Sequence, residues 1–153
     1  MGVITIVEVL EHVEKFECML AEFYAKVSEQ STREGVRLLA DYMSRHRWRT
    51  HEALTKLPIE TAEQIYRICH TPLRYEPQGA DRHSFEGVEL PPEATAAEVL
   101  DAAIKFDECL IQFYRQVLRQ PVDKEVKELF ESFIRFEQDD EIELKKIRAM
   151  DYF

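Results

Sequence analysis

The chain has 153 residues, enough for one domain of ordinary size, and 45% of them are hydrophobic, enough for a packed core. The formal charge of −10 gives a surface repelled by nucleic acid and by anionic lipid, so neither is expected as a partner. Glu8 and Glu11 interrupt the opening Val/Ile run, and no stretch reaches the roughly 20 apolar residues of a membrane span. Cys18, Cys69 and Cys109 form no CxxC pair, so reduced thiols in a cytoplasmic protein are expected.

Thr5 and Glu8 read as a capping box that opens a first helix over about 5–29, with Leu10, Val13, Glu17, Leu20, Tyr24 and Val27 on one face. A second box, Ser31 with Glu34, restarts the chain. Val36, Leu39, Met43, Ala53 and Leu57 then carry a seam to Pro58, giving a helix over about 32–57. The connection from 58 to about 94 holds a short helical candidate, Glu60 to Cys69, and a turn-rich run from His70 to Gly79. Thr95 and Glu98 open a helix over about 95–119, with Leu100, Ala103, Asp107, Leu110, Tyr114 and Val117 inward. Pro121 stands where a helix start tolerates proline, and Val126, Leu129, Phe133, Leu144 and Ile147 line a last helix over about 122–149.

The two ends of the chain overlay without a gap at an offset of 90 residues. Val9, Leu10, Lys15 and Phe16 meet Val99, Leu100, Lys105 and Phe106. Leu20, Phe23, Tyr24 and Val27 meet Leu110, Phe113, Tyr114 and Val117. Gln30, Val36 and Leu39 meet Gln120, Val126 and Leu129. Duplication of a helix hairpin explains such a repeat. The prediction is a single all-α domain over 1–153: repeat 1 at about 5–57, a crossover at about 58–94 and repeat 2 at about 95–149. Two hairpins joined by one long crossover make a four-helix bundle. A coiled-coil dimer of hairpins is the rival architecture.

The seam is not purely apolar. Glu17 and Asp107 occupy equivalent inward positions, and Glu137 and Asp140 lie three apart on the inward stripe of the last helix. Buried carboxylates are costly unless a metal or a cation matches them. The segment Ala103–Tyr114, with a carboxylate seven residues before a tyrosine, and the run Asp123–Phe133 resemble the rubrerythrin branch of the ferritin-like proteins. Glu17 and Tyr24 repeat the same spacing. The resemblance covers both hairpins and leaves the crossover unmatched.

It implies a ferritin-like bundle and a di-iron centre ligated by a carboxylate from each first helix and a Glu-x-x-His from each second helix. Three of those six positions depart from the pattern. Glu137 keeps the glutamate place, but Asp140 stands where histidine belongs, and in the first unit Arg47 and Thr50 replace Glu and His. The three isolated cysteines also exclude the four-cysteine iron module of full-length relatives. Arginine cannot ligate a metal. Set among Glu17, Asp107 and Glu137, its guanidinium would supply the charge that iron supplies in relatives. The context is complementary: Arg45-His-Arg-Trp-Arg49 in one helix against Glu137-Gln-Asp-Asp-Glu141 in the other.

Two functional readings follow. In the first the protein has no cofactor and no standard di-iron centre, and serves a structural, regulatory or assembly role. In the second it is a metal-binding oxidoreductase or iron-handling protein with an altered site, iron or manganese being held by Glu17, Asp107, Glu137, Asp140 and His46; the resemblance would then imply peroxide or oxygen chemistry. In either case Tyr24, Tyr114 and Thr50 are expected to stand around the cluster, the tyrosines hydrogen-bonded to its carboxylates. His46 and His51 flank the missing ligand place. Phe16, Phe23, Phe106 and Phe113 form an extra apolar stripe that either widens the core or, with Trp48, covers a homodimer surface.

Overall fold

A computed structural model describes residues 4–55 and 62–150, with side chains through 52 in the first stretch. The described chain is helical: α1 (Ile6–Gln30), α2 (Glu34–Thr55), a short α3 (Ala62–Cys69), α4 (Ala96–Leu118) and α5 (Lys124–Met150), with one 3-10 turn at Arg82–Phe85. Among the described residues no helix is long and apolar enough to cross a membrane. The expected end of the second helix, its seam residue Leu57, Pro58 and the expected start of the short helix at Glu60 lie outside the described residues, as does the Ala53 side chain.

The long helices begin in different ways. At α4 the expected capping box forms: Thr95 Oγ1 accepts from the Glu98 amide at 3.2 Å and Glu98 Oε1 accepts from the Thr95 amide at 3.1 Å. At α1 it does not. Thr5 makes no side-chain cap bond, and the free Ile6 amide donates to Thr71 O at 3.0 Å, so the crossover performs the cap. Ser31 closes α1, and its hydroxyl accepts from the Arg33 amide at 3.1 Å in place of the expected Glu34 amide. Asp123, not Pro121, caps α5, accepting from the Val126 amide at 3.1 Å; Pro121 sits in the turn before it.

α1 and α2 form one antiparallel hairpin. Ser44 Oγ donates to Ala21 O at 2.7 Å near its middle, and Ser28 Oγ to Arg37 O at 2.8 Å near its turn. α4 and α5 form the other, with Tyr114 against Phe130 and Arg148 paired to Asp101 at 2.6 Å. The hairpins share one apolar core. His12 stacks on Phe113 and Phe23 meets Phe106, so α1 and α4 run antiparallel. Residues 90 apart are buried alike: Val9 and Val99, Phe16 and Phe106, Leu20 and Leu110, Tyr24 and Tyr114, Val36 and Val126.

The crossover climbs the length of α1. The Leu73 amide donates to Ile4 O at 2.9 Å at one end, and the Thr32 amide to Pro92 O at 2.8 Å at the other. Midway, His12 Nε2 donates to Gly79 O at 3.1 Å and Ala80 O at 2.8 Å. That bond holds a turn in which Ala80, buried and not glycine, takes φ 49° in the left-handed region. Higher up, Phe85 packs on Phe16, Phe23 and Phe106, with ring centroids 4.7–5.7 Å apart. The phenylalanine stripe is therefore covered by the chain's own crossover and is not a homodimer surface. On the α4 side, buried Gln120 accepts from the Arg74 amide at 2.7 Å and donates to Tyr75 O at 2.9 Å.

Candidate functional site

All four long helices send a charged side chain to the middle of the core. α1 contributes Glu17, α2 Arg47, α4 Asp107 and α5 Glu137, all buried, with half-buried Asp140 one turn further along α5. The sequence produces this locally. Glu17 sits between Val13 and Leu20 and Asp107 between Ala103 and Leu110, so burial of those apolar stripes buries the charge, while Arg47 and Glu137 follow Met43 and Phe133 by one helical turn.

Arg47 is only 2% exposed and is the hub. Its Nη1 donates to both oxygens of Glu17 at 3.2 and 3.3 Å and to both of Glu137 at the same distances. Its Nη2 donates to Asp107 Oδ1, to Glu137 Oε2 at 3.3 Å and to Asp140 Oδ2 at 3.4 Å. One fork-shaped cation thus bridges α2 to the other three long helices, which an ammonium on a single point could not do. His46 Nε2 lies 3.1 Å from Asp140 Oδ1, and its ring is stacked between Tyr42 and Phe136 at the α2–α5 seam.

Four carboxyls face one guanidinium, and their proton affinities divide accordingly. Burial pushes Glu17 from the ordinary 4.5 to about 8, against the pull of Arg47. Burial also raises Asp107 and Glu137, again opposed by Arg47. Asp140 goes the other way: its burial is outweighed by hydrogen bonding to His46 and Asp107 and by the Arg47 charge, which hold it below the usual carboxylate range. For Arg47, burial works against the cation, but Glu137, Glu17 and Asp107 more than compensate and keep it charged. The cluster is thus arranged as a permanent cation, an Asp140 held ionised toward the rim, a deeper Glu17 that keeps its proton to about 8, and Asp107 and Glu137 shifted in the same upward direction.

The surrounding residues differ from expectation. The Tyr24 hydroxyl is buried without a hydrogen-bond partner, so its expected bond to a carboxylate is not made. Tyr114 rests on the rings of Phe130 and Phe133. Thr50 turns back to its own helix, donating to His46 O at 3.0 Å, and is no part of the cluster. His51 points to α1, where its Nδ1 is 3.6 Å from Cys18 Sγ, beside Trp48. Cys18 therefore meets His51, and all three thiols are free. Burial and the nearby Glu22, Glu14 and Glu17 push the Cys18 thiol up, which disfavours a reactive thiolate. Sequence reasoning missed Gln120 and His12 as anchors of the crossover. The 90-residue alignment carried a signal for Gln120, which is buried where its counterpart Gln30 is exposed.

Asp107, Glu137 and Asp140 bring carboxylate oxygens within 4.8 Å of one another, a spacing compatible with metal ligation. The same oxygens are the ones Arg47 engages. A divalent ion would have to share them with a fixed cation, and the nearest imidazole, His46, approaches Asp140 from the rim. The donor set as arranged does not fit a two-metal centre. Comparison with protein-family models, with curated proteins and with solved structures gave no match.

Proposed function

We propose that this protein is a ferritin-like, rubrerythrin-related four-helix bundle in which an arginine-centred ion-pair network stands where relatives hold a di-iron centre. Its role on this reading is structural, regulatory or in assembly, not redox catalysis. The observation that carries the reading is Arg47, buried at the convergence of four helices with hydrogen bonds to Glu17, Asp107, Glu137 and Asp140. Three further features support it. The hairpins bury equivalent positions 90 residues apart. The long connection runs from the free end of the first hairpin to its turn, as a ferritin-like crossover must. Arg47 and Glu137 are themselves 90 apart, so one half carries a cation at the place where the other keeps a carboxylate.

A second reading, an iron- or manganese-dependent oxidoreductase with an altered carboxylate-rich site, has the close approach of Asp107, Glu137 and Asp140 in its favour. It requires Arg47 to leave those oxygens. Anaerobic addition of Fe(II) to the purified protein, with bound metal counted per chain, separates the two. The wild-type protein is expected to retain no stoichiometric iron. Arg47→Glu, which exchanges the cation for a fifth carboxylate, is expected to acquire it. Near two irons per wild-type chain would overturn the ion-pair reading.

A further inference from the structure

Beside the ion-pair network lies a buried polar group that the network does not engage. Tyr24 is 1% exposed, and its hydroxyl has no hydrogen-bond partner among the described residues. A buried hydroxyl left unbonded costs free energy, so such groups in folded proteins are met by protein or by ordered water. The hydroxyl feels the charges of Arg47, Asp107 and Asp140, which puts it beside the cluster. Tyr24 also lines a small cavity near the α2–α5 rim. His46, Arg47 and Asp140 are the polar walls of that cavity, and Met43 and Ala103 are apolar ones.

We propose that this cavity is a binding site for one water molecule, which joins the Tyr24 hydroxyl to the Asp140–His46 pair at the rim. Size and charge select the occupant. The cavity measures about 20 Å³, enough for one water, which needs ~10–15 Å³, and too small for an organic ligand. Arg47 on one wall repels a cation and Asp140 on another repels an anion, so a neutral molecule is favoured. The polar partners suit a water in number and kind. The Tyr24 hydroxyl both donates and accepts. Asp140 has one oxygen 3.1 Å from His46 Nε2 and the other 3.4 Å from Arg47 Nη2, and each keeps a lone pair for a further donor. The internal repeat explains why Tyr24 faces a cavity. Met43 and His46 stand where the second hairpin has Phe133 and Phe136. There Phe133 packs against Tyr114, with ring centroids 5.4 Å apart. Beside Tyr24 a slender thioether replaces that ring and an imidazole replaces the next, so the same step of the fold gains both room and a hydrogen-bonding wall. The bridge adds a second tie between α1 and the rim, next to the one through Arg47 and Glu17, and carries the hydrogen-bonded network outward from Tyr24 to His46.

The proposal rests on Arg47 remaining among the carboxylates, and one crystal form tests both. A high-resolution crystal structure of the wild-type protein is expected to show one ordered water within hydrogen-bonding distance of Tyr24 Oη and of Asp140 or His46. A metal-free cluster with no water at that place, or with the Tyr24 hydroxyl bonded directly to a protein group, would overturn this proposal alone. A metal ion at Asp107, Glu137 and Asp140, seen by anomalous scattering from the same crystals, would overturn the ion-pair reading and this proposal with it. Urea denaturation of Tyr24→Phe is the second arm. Deleting a water-bonded hydroxyl leaves the water short of a partner and is expected to lower the folding equilibrium constant about three- to tenfold. Deleting an unbonded hydroxyl relieves a cost instead, so a Tyr24→Phe variant as stable as the wild type, or more stable, would also sink the proposal.

Discussion

The two hairpins bury the same residues at the same steps and differ most where they meet. At the inner level, Glu17 of the first faces Asp107 of the second, but Arg47 occupies the place that Glu137 has in the second hairpin. One level outward, Cys18 meets His51 in the first hairpin, and their counterparts Glu108 and Glu141 form a carboxyl pair in the second. Glu141 is raised to about 7, mainly by burial and by Glu108 beside it. The second half is thus acidic through both levels, and the first half carries the compensating cation. Two hairpins can thus share one pattern of apolar burial and still differ along their polar seams. Apolar positions must match in volume, whereas polar ones need only match in charge across the seam.

That asymmetry can be broken at its two central positions. Arg47→Ala strands several buried carboxyls around a hole and is expected to destabilise the fold by about 3–5 kcal/mol in urea denaturation at neutral pH. Glu137→Gln removes one of four acids and keeps an acceptor for the guanidinium, so its cost is expected to stay below about 1 kcal/mol. Equal losses in the two variants would show that the halves share the burden and that Arg47 is not the hub.

The crossover tests the comparison from outside, because its Phe85 packs on rings of both α1 and α4. Phe85→Ala removes the ring that covers Phe16, Phe23 and Phe106 and is expected to cost about 2–3 kcal/mol, below a fully buried ring because Phe85 is half-buried. A loss below about 0.5 kcal/mol would mean that the phenylalanine stripe needs no cover.

The smallest effect is a slope. Glu17 holds its proton to about 8 when folded and to about 4.5 when unfolded, so between these values the native state binds more protons. Stability is therefore greatest at the low end of that window and declines as pH rises toward 8. The lowered Asp140 acts in the opposite sense, and only on acidification below the ordinary carboxylate range. Glu17→Gln is expected to flatten the decline between pH 5 and 8 in a series of thermal melts. An unchanged slope would locate the retained proton elsewhere in the cluster.

Much of the helical layout was legible in the sequence because it rests on short-range physics. The three- and four-residue recurrence from Leu10 to Val27 and from Leu100 to Val117 marks one buried face per helix, and those faces are the buried ones. The T-x-x-E signal was reliable at Thr95, where the chain is free to cap itself, and misleading at Thr5, where the crossover carbonyl of Thr71 reaches the amide first. A local motif loses to a tertiary contact whenever both compete for one donor. The pairing of Arg45–Arg49 with Glu137–Glu141 was visible as complementary composition, and the 90-residue alignment of Arg47 with Glu137 already singled out the cation set among the carboxylates.

Burial, charge balance and period were therefore determined by the sequence alone: an all-helical chain with a seam too acidic to be left unmatched. The tertiary structure decided the rest. It laid Phe85 over the aromatic stripe, turned Thr50 away and brought His51 to Cys18. The physical reason is the same in each case. Helical periodicity gives the direction of a side chain to within about a third of a turn. Which neighbour that side chain meets is set only when the helices and the crossover close on one another and each buried polar group must find its partner.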